Sequence, residues 1–100
     1  MSSFVIAIAN DFHGLKSCVV HSNSLVETIN LAIKEGNFIW IDKISISAKE
    51  IKNGVELTIP DGDKLSFRED DLQEIGACLQ KVFEKNKEDV SYRFSVVKID

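Results

Sequence analysis

Apolar positions cluster, recur and break along the chain so as to divide it into short elements. Phe4-Val5-Ile6-Ala7-Ile8-Ala9 is apolar without alternation. A run so short and rich in β-branched residues predicts a strand covered on both faces. Asn10-Asp11-Phe12-His13-Gly14 has turn chemistry, and Leu15 to His21 predicts a second strand that pairs back as a hairpin. Ser24-Leu25-Val26-Glu27 is a capping box, followed at helical spacing by Val26, Ile29 and Ile33, with Leu25, Leu31 and Ala32 widening the stripe. A helix over Leu25 to Glu35 follows, with Gly36 as the left-handed residue that ends it.

Asn37 to Ala48 is strand-like, but its phase slips. Ile39 and Ile41 share one face and Ile44, Ile46 and Ala48 the other, which predicts a bulge or bend at Asp42-Lys43. Asn53-Gly54 is a hairpin turn signal. A two-residue turn there sets Lys52 opposite Val55, Glu50 opposite Leu57 and Ala48 opposite Ile59, so that the apolar residues of both strands share a face. A three-residue Asp61-Gly62-Asp63 loop then places Leu65 opposite Ile59 and Phe67 opposite Leu57, continuing that face. A two-residue Asp61-Gly62 turn would put Leu65 on the polar face. Ser66-Phe67-Arg68-Glu69 repeats the capping-box pattern, and Leu72, Ile75, Leu79, Val82 and Phe83 predict an amphipathic helix over Glu69 to Asn86. Gly76 interrupts it, the mark of another backbone in close approach. Val90, Tyr92, Phe94 and Val96 alternate with polar residues as a final strand, with a bulge expected at Val96-Val97.

The order is therefore β-β-α-β-β-β-α-β within one domain spanning residues 1–100. Hairpins dominate, which predicts an α+β fold with a mainly antiparallel sheet and both helices packed on the one apolar face that the three-stranded meander offers. Composition adds little to this: 44% hydrophobic and 28% charged residues are ordinary for a globular domain. No apolar run approaches the length of about 20 residues that crosses a membrane. Nothing resembles a signal peptide, and two cysteines are too few for a disulfide framework. A cytoplasmic protein with reduced thiols is expected.

Charge is more informative. The formal net charge is −4. From Asp61 to Glu74 six acids face only Lys64 and Arg68, so this segment carries the whole excess and the remainder sums to zero. The acidic balance argues against a nucleic-acid surface, which needs a basic footprint. It suits a surface that steers and holds a basic protein. The expected contact residues are Asp61, Asp63, Glu69, Asp70, Asp71 and Glu74, with Phe12 and Trp40 as aromatic anchors. Turn and helix-start chemistry accounts for the same acids without any partner.

Catalytic and metal chemistry have thin support. Cys18-Val19-Val20-His21 has a C-x-x-H spacing, but residues three apart on a strand point to opposite faces, and a structural zinc site needs four ligands. His13 and His21 then read as turn and strand-end residues. Asp61-Gly62-Asp63 lacks the other ligands of a calcium loop, and no phosphate-binding glycine motif is present. Cys18 or Cys78 could serve as a nucleophile only with an activating base and an oxyanion hole, for which no motif appears. No metal, cofactor or catalytic residue is expected. The leading expectation is a non-catalytic inhibitor of the immunity or antitoxin type that occludes a basic, nuclease-like partner. The alternatives are a phage-type inhibitor of a host nucleic-acid-handling complex, a dimeric assembly or chaperone-like subunit using helix stripes and strand edges, and a small cysteine-dependent enzyme. The chain is expected to be a monomer or a homodimer.

Overall fold

A computed structural model describes residues 3–11, 16–37, 44–86 and 91–99. The order is β1 (Ser3–Asn10), β2 (Lys16–Ser22), α1 (Leu25–Gly36), β3 (Ser47–Ile51), β4 (Gly54–Thr58), β5 (Lys64–Arg68), α2 (Leu72–Asn86) and β6 (Tyr92–Ile99). The fold is α+β and all described pairing is antiparallel. The strands form two three-stranded sheets, β2-β1-β6 and β3-β4-β5.

In the first sheet β1 is central, between its hairpin partner β2 and the last strand of the chain. Its inward residues Phe4, Ile6 and Ile8 are buried, together with Tyr92, Phe94 and Val96 of β6. Leu25, Ile29, Ala32 and Ile33 of α1 and Ile75, Leu79, Val82 and Phe83 of α2 complete most of the core, with Val55 and Leu57 of β4. Both helix stripes are therefore core, but the expectation that both lie on the meander is corrected, since they contact the first sheet chiefly: α1 packs on β1 and β2 and reaches β3, while α2 packs on β6. Phe83 lies 5.1 Å from the Tyr92 ring and 5.2 Å from Phe94, within the range of favourable tilted aromatic pairs. The Tyr92 hydroxyl donates to the Gly36 carbonyl at 3.3 Å, giving this ring its polar partner.

The expectation that β1 is covered on both faces is corrected. Burial alternates along it, with Ala7 exposed and Val5 and Ala9 half-buried. The bulge expected at Val96-Val97 is absent, since β6 pairs with β1 in unbroken register from Ser3 opposite Ile99 to Asn10 opposite Tyr92. Of the stretch expected to be strand from Asn37 to Ala48, residues 44–46 are not strand and β3 begins at Ser47, while residues 38–43 are not among those described. The predicted bend at Asp42-Lys43 lies outside the described residues.

Both hairpins of the second sheet keep the loop length expected and slide by one position. Ile51 faces Gly54 across a Lys52-Asn53 turn, so Ala48 opposes Leu57 and Glu50 opposes Val55. Asn53 takes the left-handed conformation (φ 62°), while Gly54 is required for space, because a Cβ there would meet the Phe67 carbonyl. Leu57 faces Leu65, and Ile59 bonds to Asp63 across Pro60-Asp61-Gly62. Proline has the φ that the first position of such a loop needs, and Gly62 at φ 95° supplies the left-handed last position. Each register differs from expectation by two residues, an even slip that keeps every side chain on its expected face.

The helix ends also differ. The Ser24 Oγ accepts the Glu27 N–H at 3.2 Å as expected, but the N–H of Ser24 itself donates to Ser22 Oγ. Gly36 is not left-handed, and the cap at Asn37 is right-handed helical (φ −90°, ψ −7°). Gly36 is needed for packing instead: a Cβ would lie 2.8 Å from the Phe83 ring. The Asn37 side chain accepts from the Ile44 N–H at 2.8 Å and donates to its carbonyl at 3.2 Å, tying together the two ends of the segment between them. Ser66 is not a cap but part of β5, and α2 begins at Leu72 rather than Glu69. Asp71 precedes it, its carbonyl accepting the Ile75 N–H. The close approach expected at Gly76 is present: a Cβ would lie 2.6 Å from the Phe94 carbonyl oxygen.

Candidate functional site

The acidic segment is the candidate site, and its geometry follows from β5. Five residues of extended strand separate the loop carrying Asp61 and Asp63 from the turn carrying Glu69, Asp70 and Asp71. At about 3.4 Å per residue, Asp63 and Glu69 stand about 20 Å apart. The fourteen-residue run of the sequence is thus two acidic ends of one strand, not one patch. Between them β5 pairs, among the described residues, with β4 alone, so one of its edges has no strand partner among them. Lys64, Leu65, Ser66 and Arg68 along it are exposed and Phe67 is half-buried.

The carboxylates differ in what they already do. Asp61 accepts the N–H of Asp63 at 3.0 Å, fixing the loop tip. The half-buried Asp71 accepts the Arg68 N–H at 3.1 Å and lies 3.6 Å from the Arg68 guanidinium, holding the β5–α2 corner. Glu69 reaches Lys98 of β6 at 4.0 Å, a long and exposed pair that leaves its carboxylate open to exchange. Asp63 and Asp70 are exposed. Glu74 stands apart in the first turn of α2. It rims a groove of about 470 Å³ between that helix and the β4–β5 hairpin, floored by Ile59, Leu65, Cys78 and Val82. Phe12 and Trp40, the expected anchors, lie outside the described residues.

The thiol chemistry is unfavourable to nucleophilic attack. Both cysteines are free and half-buried. Burial pushes the Cys18 thiol up, and Glu35 pushes it the same way. Cys78 is also raised by burial, against a smaller opposing pull from Lys81. A reactive cysteine needs the opposite shift. The strand register puts Cys18 opposite Ile8 on the inward face and His21 opposite Val5 on the outward face, so the C-x-x-H pair is split as strand geometry requires. Among the described residues no group of three or more His, Cys, Asp or Glu side chains could hold a metal ion. No helix among them is long and apolar enough to cross a membrane.

Sequence reasoning located the acids but missed their separation, because it took them as one loop and one helix start and did not weigh the extended residues 64–68 that hold the two groups apart. It also missed the surface outside β1, where Val19 and Val97 stand 61% and 49% exposed. The alternation of Val5, Ala7 and Ala9 with buried neighbours, set beside Val19, was the signal that could have found it. Compared with known proteins, the chain matches no family model, no curated protein and no solved structure.

Proposed function

We propose that this protein is a non-catalytic inhibitor of the immunity or antitoxin type, which occludes a basic partner protein along strand β5. The observation that carries the reading is an exposed edge strand bracketed at both ends by carboxylates. An unpaired edge offers a partner backbone donors and acceptors. The two acidic ends, about 20 Å apart, select a partner with cationic groups at matching spacing and speed the encounter. Glu69, Asp70, Asp63 and Asp61 are the proposed contacts. Asp71 has a local duty at the corner, and Glu74 faces the groove. A nuclease-like toxin and a host nucleic-acid-handling complex both present such basic surfaces, and the identity of the captured protein distinguishes them.

The test is capture from a host lysate on the immobilised chain, followed by assay of the purified partner. Wild type should retain a basic protein at low salt, release it as salt rises, and suppress its activity at one-to-one stoichiometry. D61K/D63K and E69K/D70K should each weaken retention and flatten its salt dependence. Equal retention by the two combined, with folding intact, would refute the mechanism.

A further inference from the structure

We propose that the outward face of the β2-β1-β6 sheet is a self-association surface that seats a second copy of this chain. The helices cover only the inward face of this sheet. Strand β1 nevertheless carries apolar residues on both faces, the composition of a strand buried on both sides. Its outward Val5 and Ala7 are flanked by Val19 of β2 and by Val97 and Ile99 of β6, joined in register as Val5 opposite Val97, Ala7 opposite Val19 and Ser3 opposite Ile99. Ile99 is 55% exposed, so these side chains form a continuous apolar stripe over three strands that the fold itself leaves open.

Charge selects the occupant. The chain carries 16 acidic and 12 basic residues, yet none of the outward positions of β1, β2 or β6 is a carboxylate, and Arg93 is the one formal charge among them. A basic partner finds nothing there to pair with. For two copies of a net-acidic chain, this is the face on which like charges are kept out of the contact, and an identical apolar stripe is its natural complement in a two-fold interface. Size sets the strength. Eight residues by three strands give roughly 400 Å² per copy at strand spacings of about 3.4 and 4.8 Å. A pair of such faces falls short of the roughly 1,200–2,000 Å² of stable complexes and within the range of weak, transient ones. The dimer is therefore reversible and appears only at high concentration. It uses a surface separate from β5, so it stands or falls independently of the proposed inhibition.

Sedimentation of the full chain across a dilution series up to about 1 mM, the regime of weak interfaces, provides the test, with amide chemical shifts recorded over the same series. Wild type should move from 11.2 kDa towards twice that mass. The concentration-dependent shifts should fall on outward residues of β1, β2 and β6. V19K and V97K, both at exposed positions, should keep the thermal unfolding profile of wild type and remain monomeric throughout, while D70K dimerises as wild type does. A wild-type monomer at the highest concentration overturns the proposal. So does a dimer that survives both lysine variants, or one whose shifts fall on β5 or α2.

Discussion

Gly76→Ala sets two physical effects against each other within one helix. In an exposed helix interior the added methyl would stabilise by about 1 kcal/mol, because glycine is the poorer helix former. Here the methyl carbon would lie 2.6 Å from the Phe94 carbonyl oxygen, where ordinary contact begins near 3.4 Å. The obstacle is backbone of a strand paired through its whole length with β1, so it cannot rotate aside. Helix α2 must instead withdraw from β6 by several tenths of an ångström. Leu79 and Phe83 would withdraw with it from the neighbourhood of Phe94 and Val96, and gaps of about 0.5–1 Å forfeit a quarter to a half of each dispersion contact. Overpacking of this kind costs about 1–3 kcal/mol. A backbone obstacle belongs at the upper end, so the net expectation is a loss of about 2 kcal/mol after the propensity gain. For a domain of this size that lowers the melting temperature by about 10 °C. Urea unfolding followed by far-UV circular dichroism measures it. Ala77→Gly, at the exposed neighbouring position, serves as the internal standard and should cost about 1 kcal/mol through propensity alone. A Gly76→Ala protein as stable as wild type, or more so, would refute the claim that this glycine is present for backbone contact.

Asn37→Ala removes the amide that bonds both backbone groups of buried Ile44. It should cost about 2–4 kcal/mol in the same unfolding assay, since two buried groups lose their partners. Asn37→Asp should restore little, because a carboxylate cannot donate to the Ile44 carbonyl. The two thiols should react with a disulfide reagent more slowly than free cysteine at neutral pH, with Cys78 accelerating only in the alkaline range, as raised thiol pKa values require. Fast single-thiol modification at pH 7 would revive the cysteine-enzyme reading. The same shifts carry a sign for stability: the folded protein holds these protons longer than the unfolded chain. Their contribution is therefore complete below the unfolded pKa and is lost as pH rises through the folded one.

The fold was legible wherever period and turn chemistry agreed. Leu25 to Gly36 and the alternation from Tyr92 to Val96 were set by the spacing of side chains that the core then buried. Gly76 was legible because a glycine inside a strong helical pattern has few reasons to be there. The turns were legible in length but not in placement. The position of a two-residue loop depends on which residue takes the left-handed conformation, and Asn53 can take it as well as a glycine can. Gly54 was therefore free to meet the Phe67 carbonyl instead. Gly36 was misread for a related reason. A glycine after an apolar stripe signals a left-handed cap, but the contact with Phe83 comes from a residue 47 positions away, which no local pattern contains. The Ser66 capping box failed because the same residues also alternate as a strand, and pairing with β4 prevailed.

That last failure alters what the acidic segment can do. Had Ser66 capped a helix, Phe67 and Arg68 would have been helical rather than extended, and the acids would have stood closer to a single patch. With β5 extended to Arg68, the loop carrying Asp61 and Asp63 and the corner carrying Glu69 and Asp70 stand farther apart than the screening length of about 8 Å at physiological ionic strength. Charges separated in this way act on a partner independently. Mutational effects at sites more than about 7–10 Å apart with no shared contacts add to within about 0.5 kcal/mol. If a basic partner lies along β5, the losses of binding free energy from D61K/D63K and from E69K/D70K should therefore sum in the combined variant, and each should remove its own share of the salt dependence. Titration calorimetry against the purified partner at two salt concentrations measures both. If one end carries the whole loss, the partner engages that end alone. Strong non-additivity would mean that both ends meet a single cationic group, which a partner extended along the strand cannot supply, and the edge-strand docking would have to be abandoned.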